Sequence, residues 1–392
     1  MFNKIIDTSR VNLVKNDPKF LENIFGKKDL LPFWIADMDF EIAPEIKDAL
    51  IQRVNTGLFG YEVNTSSLKK SIASWYLRRH NWNIEKGTLH IAPGIISSIG
   101  MLIQILTKKG DGVIIQTPVY QRFNDIIKSN DRKVLNNALK FENGKYEIDF
   151  EDLEIKAKEG KILLLCNPHN PIGKVYTKPE LEKIAKIANK NNLVVISDEI
   201  HSDIIFGNNS FIPYGSLTKD LSENSISLLS PAKTFNIPSI SSSFLYSKNK
   251  EILKKFDIFM KNLSLDHINA MSILVMQVAY DNAEKWLDEL LVYLEENINY
   301  AQKYIDENLP GIKMIKPEGT FLLWLDCRGL ELDNKDLENL FLDAGLALNP
   351  GYWYGKNGNG FVRMSIGTSK SLITKALEAL KISLESKKIS SK

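Results

Sequence analysis

Only two cysteines occur in the sequence, Cys166 and Cys327, and both lie in apolar, strand-like runs. They read as small buried hydrophobes rather than a disulfide pair, which points to a reducing compartment, the cytoplasm. Long apolar runs are also absent, and no stretch approaches the ~20 residues that cross a bilayer. The opening Met1-Phe2-Asn3-Lys4-Ile5-Ile6-Asp7 lacks the apolar centre of a secretion signal. Charge of one sign is missing: 50 basic and 48 acidic residues leave a net +2, and the lysines are interspersed with acids. That balance gives no warrant for a nucleic-acid partner. There is no internal repeat, no low-complexity tract, and no metal is expected. A soluble intracellular protein with a small-molecule substrate is the expectation, and 392 residues suggest two domains.

What is present is a repeating order of short apolar run, turn and helical stretch. Apolar runs at 89–92, 113–116, 162–166, 193–197, 226–229 and 243–246 are mostly apolar throughout rather than alternating. Strands of that kind are covered on both faces, as in a largely parallel α/β sheet. Pro44 opens a helix with Ile46, Ala49, Leu50 and Val54 on one face, ended by Gly57. A second helix at 67–80 buries Leu68, Ile72 and Trp75, and 179–189 has the period of a crossover helix with Leu181, Ile184, Ile187 and Ala188 inward. One or two long helices at 269–308 lead to a smaller α+β region with strands at 321–326 and 360–366 and helices at 335–344 and 371–385. The expected division is an irregular arm over 1–42 that packs on the small domain and the substrate site, a large domain over 43–285 and a small one over 286–392. A frayed polar tail at 386–392 ends the chain.

Three predicted strand ends finish in polar residues, where open α/β sheets hold their ligands. At Ala92-Pro93-Gly94-Ile95-Ile96 a strand stops at a glycine and a helix begins, a geometry that suits a phosphate and also merely closes a βα turn. Cys166-Asn167-Pro168-His169-Asn170-Pro171-Ile172-Gly173 holds two Asn-Pro pairs, a stiff turn with exposed amides. Ser197-Asp198-Glu199-Ile200-His201 ends a buried run in an acid, which calls for a cationic partner unless it caps a helix. A fourth stretch, Ser230-Pro231-Ala232-Lys233-Thr234-Phe235-Asn236-Ile237, follows another apolar run and carries a lysine. Burial there would lower the amine's pKa and make it nucleophilic, whereas a solvated loop lysine fits the same letters.

Taken in order, the Gly94 turn, Tyr120, Asn-Pro-His-Asn-Pro-x-Gly, Asp198-Glu199-Ile200-His201, Ser230-x-x-Lys233 and Arg363 resemble the fold-type I pyridoxal-phosphate enzymes, the aminotransferase class I/II superfamily. Three stretches look like the MalY/PatB group of cystathionine β-lyases within it: Trp34-Ile35-Ala36-Asp37-Met38-Asp39-Phe40, Ser197 to Asp203, and Lys233-Thr234-Phe235-Asn236-Ile237. The resemblance covers nearly the whole chain. It implies a mostly parallel seven-stranded sheet between helices, with pyridoxal 5'-phosphate as cofactor and a homodimer as the working unit.

It also implies roles. Lys233 would link covalently to the cofactor, and Asp198 would pair with its ring nitrogen. Asn170 and His201 would reach the ring hydroxyl, Tyr120 would stack on the ring and also meet substrate, and Gly94, Ile95, Ile96 and Ser230 would hold the phosphate. Tyr61 would reach the neighbouring subunit's cofactor and stand beside Lys233 as a catalytic group. Arg363 would grip the substrate carboxylate, with Ala36 and Asn170 lining the substrate side. Two departures stand out: Ser241 where many relatives carry a phosphate-binding arginine, and Gln121-Arg122-Phe123 where this subgroup leads one to expect a proline. Arg122 either meets substrate or faces solvent. The expected activity is a carbon–sulfur β-lyase giving a thiol, pyruvate and ammonia. An aminotransferase with the same cofactor site, or a cofactor-binding regulatory protein acting through a partner, is compatible with the same residues.

Overall fold

The computed structural model describes all residues except Met1, Ser9, Arg10, Tyr61, Val63, Asn64, Lys86, Ser391 and Lys392, and leaves the side chains of 387–390 undescribed. Among the described residues the largest sheet has seven strands, ordered Leu89–Ala92, Ser243–Tyr246, Ser225–Leu229, Val194–Asp198, Gly160–Cys166, Gly112–Ile115, Lys133–Asn136. Ser243–Tyr246 is antiparallel to both its neighbours. The remaining pairs are parallel. The expected seventh strand is therefore Lys133–Asn136, an edge strand whose half-exposed Lys-Val-Leu-Asn has too little apolar content to stand out in sequence.

Why the central runs are apolar throughout is visible in the packing. Ile162, Leu164 and Cys166 enter one core with Ile99, Leu102, Ile196 and Ile226, while Leu163 and Leu165 enter another with Leu181, Ile184 and Val195. Side chains alternate in direction along a strand, so a strand covered on both faces must be apolar at every position. The covering helices follow from local signals. Lys178–Lys190 starts with a reciprocal capping box between Thr177 and Glu180, and it buries Leu181, Ile184, Ile187 and Ala188 as expected. The stretch 269–308 is two helices, Ala270–Asn282 and Glu284–Asn308, broken at Ala283.

A second sheet of four antiparallel strands among the described residues is ordered Lys313–Ile315, Leu322–Asp326, Phe361–Ser365, Asn349–Pro350. The N-terminal stretch is less irregular than its sequence suggests. Asp17 caps a helix at Pro18–Phe25, with Gly26 in the left-handed region at its end. Leu31–Pro32 then pairs in parallel with Leu346–Ala347. This helix escapes a periodicity reading because eight residues give barely two turns. At the other end the last helix runs Lys370–Ser390, so residues 386–390 continue it rather than forming a frayed tail. In the helix Pro44–Asn55 only Ile46 is buried, and the expected core residue Val54 is 55% exposed.

The second sheet is tied to the Asn-Pro turn of the first. Glu318 and Gly319 both donate their N–H groups to the Gly173 carbonyl at 2.9 Å. Gly173 has φ +69, and a Cβ there would lie 2.6 Å from Pro317 Cβ. Gly173→Ala should therefore combine backbone strain with overpacking and lower stability by about 2 kcal/mol or more. Urea unfolding of the variant beside the parent checks this.

Candidate functional site

Along one edge of the large sheet the chain leaves the strands at Ala92, Ile115, Cys166, Asp198 and Leu229, and register aligns these ends: Cys166 lies opposite Asp198, and Asp198 opposite Leu228. A cavity of 460 Å³ opens there, walled on its far side by the second sheet and the N-terminal stretch. Its lining includes Ala36, Gly94, Ile95, Ile96, Tyr120, Asn170, Asp198, His201, Ser230, Lys233 and Arg363. All of the expected site residues thus meet at one cavity save Tyr61, which lies outside the described residues. Arg122 is exposed and does not line it, whereas Ser241 does.

Each wall has a local cause. The helix Ile95–Leu106 begins at Gly94 with no side-chain cap, so its first N–H groups stand at the cavity wall without a protein side chain to meet them. In the Asn-Pro turn, His169 Nε2 donates to the Pro118 carbonyl at 2.8 Å and Nδ1 accepts from the Tyr176 hydroxyl at 3.0 Å. Burial pushes His169 down to about 4, so this histidine is neutral and structural. Tyr120 donates its N–H to the Asn170 carbonyl at 3.0 Å, locking two lining residues together. The amides of this turn are not exposed as the sequence suggested. Asn167 is fully buried and accepts from the Tyr176 N–H, and Asn170 is buried against Arg363, because the second sheet closes over the strand end.

Asp198 does not cap a helix, since a turn follows it. Its Oδ1 accepts the Ile200 N–H at 3.1 Å. Burial pushes its carboxyl up to about 7, against the pull of that hydrogen bond and of Lys233. His201 is pushed down to about 3 by burial, with Lys233 and Arg363 adding to it, and its Nδ1 is buried with no hydrogen-bond partner among the described residues. Lys233 donates Nζ to the Ala36 carbonyl. Burial brings its pKa down to about 8, opposed chiefly by the Asp37 carboxylate. The bland alternative of a solvated loop lysine is excluded.

Arg363 sits in the middle of the second sheet, opposite Trp324 and Asn349. It donates to the Trp34 carbonyl, to Asn349 Oδ1 at 2.8 Å and to Asn170 Oδ1 at 3.2 Å, and it lies over the Tyr354 ring at 5.3 Å. Its Nε has no hydrogen-bond partner among the described residues. The contribution of Asn349 was not foreseen, and neither were those of Gln121, Ser242 and Trp353 to the lining. Asn349 precedes a proline as Asn167 and Asn170 do, and the three apolar residues before it, Leu346-Ala347-Leu348, are too short a run to have marked a strand end. A second unforeseen residue is Asp203. It is fully buried and accepts from Trp75 at 3.0 Å, His80 at 2.8 Å and Thr234, the neighbour of Lys233, at 2.7 Å.

The sequence matches the family described as aminotransferase class I and II over residues 28–380. The chain belongs to that family. It is 35% identical to cystathionine β-lyase PatB of Bacillus subtilis (strain 168), over 92% of this chain and 94% of PatB. Cystalysin of Treponema denticola, whose structure contains pyridoxal 5'-phosphate, superposes with a TM-score of 0.94 at 32% identity, covering 98% of this chain and 99% of cystalysin. A PLP-bound aminotransferase-like protein of Clostridium difficile 630 superposes at 0.95 with 41% identity over 98% of this chain and 99% of its own. The residues of the cavity fit such a cofactor: a buried acid short of a cation, an orphaned imidazole nitrogen, an uncapped helix start and a desolvated lysine meet at one space.

An acid whose folded pKa lies above its unfolded value binds more protons folded than unfolded, so its burial costs more as pH rises between the two. For Asp198 that window runs from about 4, the ordinary carboxylate value, to about 7. Asp198→Asn keeps an acceptor for the Ile200 N–H and removes the charge. In cofactor-free protein it should raise the melting temperature at pH 8 and change it little at pH 4.5. Thermal melts at the two pH values read this directly.

Proposed function

We propose that the protein is a pyridoxal-phosphate-dependent carbon–sulfur β-lyase, acting on L-cystathionine or a related cysteine S-conjugate to give a thiol, pyruvate and ammonia. The observation that carries the reading is a buried lysine amine, with its pKa near 8, sharing one cavity with the buried acid Asp198 and the fixed guanidinium of Arg363. The likeness to PatB and cystalysin supports the reaction class.

In this reading Lys233 would carry the covalent link, Asp198 would pair with the ring nitrogen, and Tyr120 would stack on the ring. Asn170 and His201 would reach the ring hydroxyl, and the backbone of Gly94, Ile95 and Ile96 with Ser230 would hold the phosphate. Ser241 stands where many relatives carry an arginine, so the phosphate would be held by hydroxyls and N–H groups rather than by a guanidinium. Pyridoxal phosphate, when bound, supplies an electron-withdrawing ring that stabilises negative charge at the substrate α-carbon.

The protein does the rest. Arg363, preset by Asn349 and the Trp34 carbonyl, takes the substrate carboxylate in bidentate fashion and fixes the α-carbon over the lysine. With its pKa near 8, Lys233 Nζ is partly unprotonated at neutral pH and accepts the α-proton. The same nitrogen, then charged, is poised to return a proton to the departing sulfur. Tyr61 of a neighbouring subunit is the second donor in this reading. A cytoplasmic homodimer is part of the proposal, supported by the exposed apolar side chains Ile51, Val54, Leu58 and Phe59 in the stretch that leads to Tyr61. So is the division into an arm over 1–42, a large domain over 43–285 and a small one over 286–392.

Incubation of the cofactor-loaded protein with L-cystathionine, without any oxo acid, should give catalytic pyruvate and free thiol. Lys233→Ala should lower that turnover by roughly 10²–10⁴-fold or more. Arg363→Met should act mainly by raising KM. No pyruvate, together with conversion of the cofactor to its amine form, would instead make the protein an aminotransferase.

A further inference from the structure

Two of the stretches that mark the lyase-like subgroup, residues 34–40 and 233–237, bind each other in the fold through Asn236, which has no part in the chemistry above. Asn236 lies three residues beyond Lys233 with φ +55, a left-handed backbone that asparagine tolerates better than most residues. Its amide faces the N-terminal stretch and makes three hydrogen bonds there. Oδ1 accepts the Met38 N–H at 3.1 Å, and Nδ2 donates to the Met38 and Phe40 carbonyls at 2.9 and 3.0 Å. Two residues upstream the Ala36 carbonyl accepts from Lys233 Nζ, and two further upstream the Trp34 carbonyl accepts from Arg363. The same strip is fastened to the second sheet through the Asp39 N–H and the Gly367 carbonyl at 2.7 Å.

We propose that Asn236 is a positioning residue that clamps residues 38–40 of the arm onto the lysine loop and so keeps the Ala36 carbonyl on the Lys233 amine and the Asp37 carboxylate within electrostatic range of it. The inference rests on Lys233 as the reactive lysine, and it does not depend on which reaction follows. Carbonyl and carboxylate both favour the charged amine, so the clamp opposes the desolvation that burial imposes. Among the described residues, Asp37 and Asp198 raise the pKa of Lys233, Arg363 and Lys15 lower it, and His201 is neutral beside it. Lys15 belongs to the arm and pairs with Asp37 at 3.4 Å and Asp39 at 2.9 Å, so it moves with the strip, and of these two arm charges Asp37 acts more strongly on Lys233. Loosening the strip takes these groups from the amine and readmits water to it, so the midpoint of Lys233 must move.

Asn236→Gly separates side chain from backbone, because glycine keeps the left-handed conformation and loses only the amide. In cofactor-free protein, the pH dependence of Lys233 reductive methylation by formaldehyde and cyanoborohydride, read by mass spectrometry of its peptide, gives the amine's midpoint. Hydrogen exchange of the peptide spanning 36–40 reports the arm. The expected result is a midpoint displaced by about half a pH unit or more, with exchange at least several-fold faster. An unmoved midpoint overturns the proposal even if exchange quickens, because the amide would then be a structural tie alone. Should Asn236→Gly fail to fold, Asn236→Asp sets a carboxylate against the Met38 and Phe40 carbonyls and must speed exchange of the same peptide. Unchanged exchange in that variant overturns the clamp. Neither readout uses turnover, so loss of the lyase reading and loss of the clamp are told apart.

Discussion

A lysine amine taken out of water is the constraint to which the other buried charges of this protein answer. Desolvation alone disfavours the ammonium, and a single buried charge without partners costs far more than a surface ion pair returns. The structure meets this with a backbone carbonyl from the N-terminal stretch and with carboxylates at moderate range, leaving the amine titrating near neutrality. Asp198 and His201 are the complementary cases: burial raises the acid and lowers the base, so both tend toward neutrality while the cavity holds only protein groups. Groups pushed from their ordinary values by burial, gathered at one cavity, are the pattern expected of a site whose occupant supplies the missing charges.

Arg363 answers differently. It is buried yet has partners on most of its fork, drawn from three separate parts of the chain: Trp34, Asn170 and Asn349. That redundancy holds the guanidinium in one plane, as recognition of a planar carboxylate requires. Asp203 plays the corresponding part beneath the lysine loop. It stays ionised despite full burial because three donors converge on it, and one of them, Thr234, is covalently next to Lys233.

Much of this was legible in the residues. The doubly covered strands announced themselves as unbroken apolar runs, and their polar ends marked the ligand edge, because alternation and burial act on every residue of a central strand. Legibility failed where the causes are not local. Lys133–Asn136 is an edge strand with one neighbour and little apolar content. The helix Pro18–Phe25 is too short for its period to register. Asn349 reaches the site only because its strand lies against that of Arg363, a pairing of distant segments that no window of sequence contains. Val54 had the spacing of a core residue and is exposed, which a single chain's periodicity cannot distinguish from a face covered by something else.

The reversed strand of the large sheet has a mechanical consequence. Ser225–Leu229 and Ser243–Tyr246 are adjacent and antiparallel, with Leu229 opposite Phe244, so residues 230–242 form the connection of a hairpin. Its two ends are held about 5 Å apart by the ladder, and the Ser230 hydroxyl bonds the Ser242 carbonyl across them at 2.9 Å. Between those feet the loop is tied again at its middle, where Thr234 donates to the buried Asp203 at 2.7 Å. The lysine therefore rides on a segment fixed at three points, a stationary jaw whose place is set by the large sheet before anything enters the cavity.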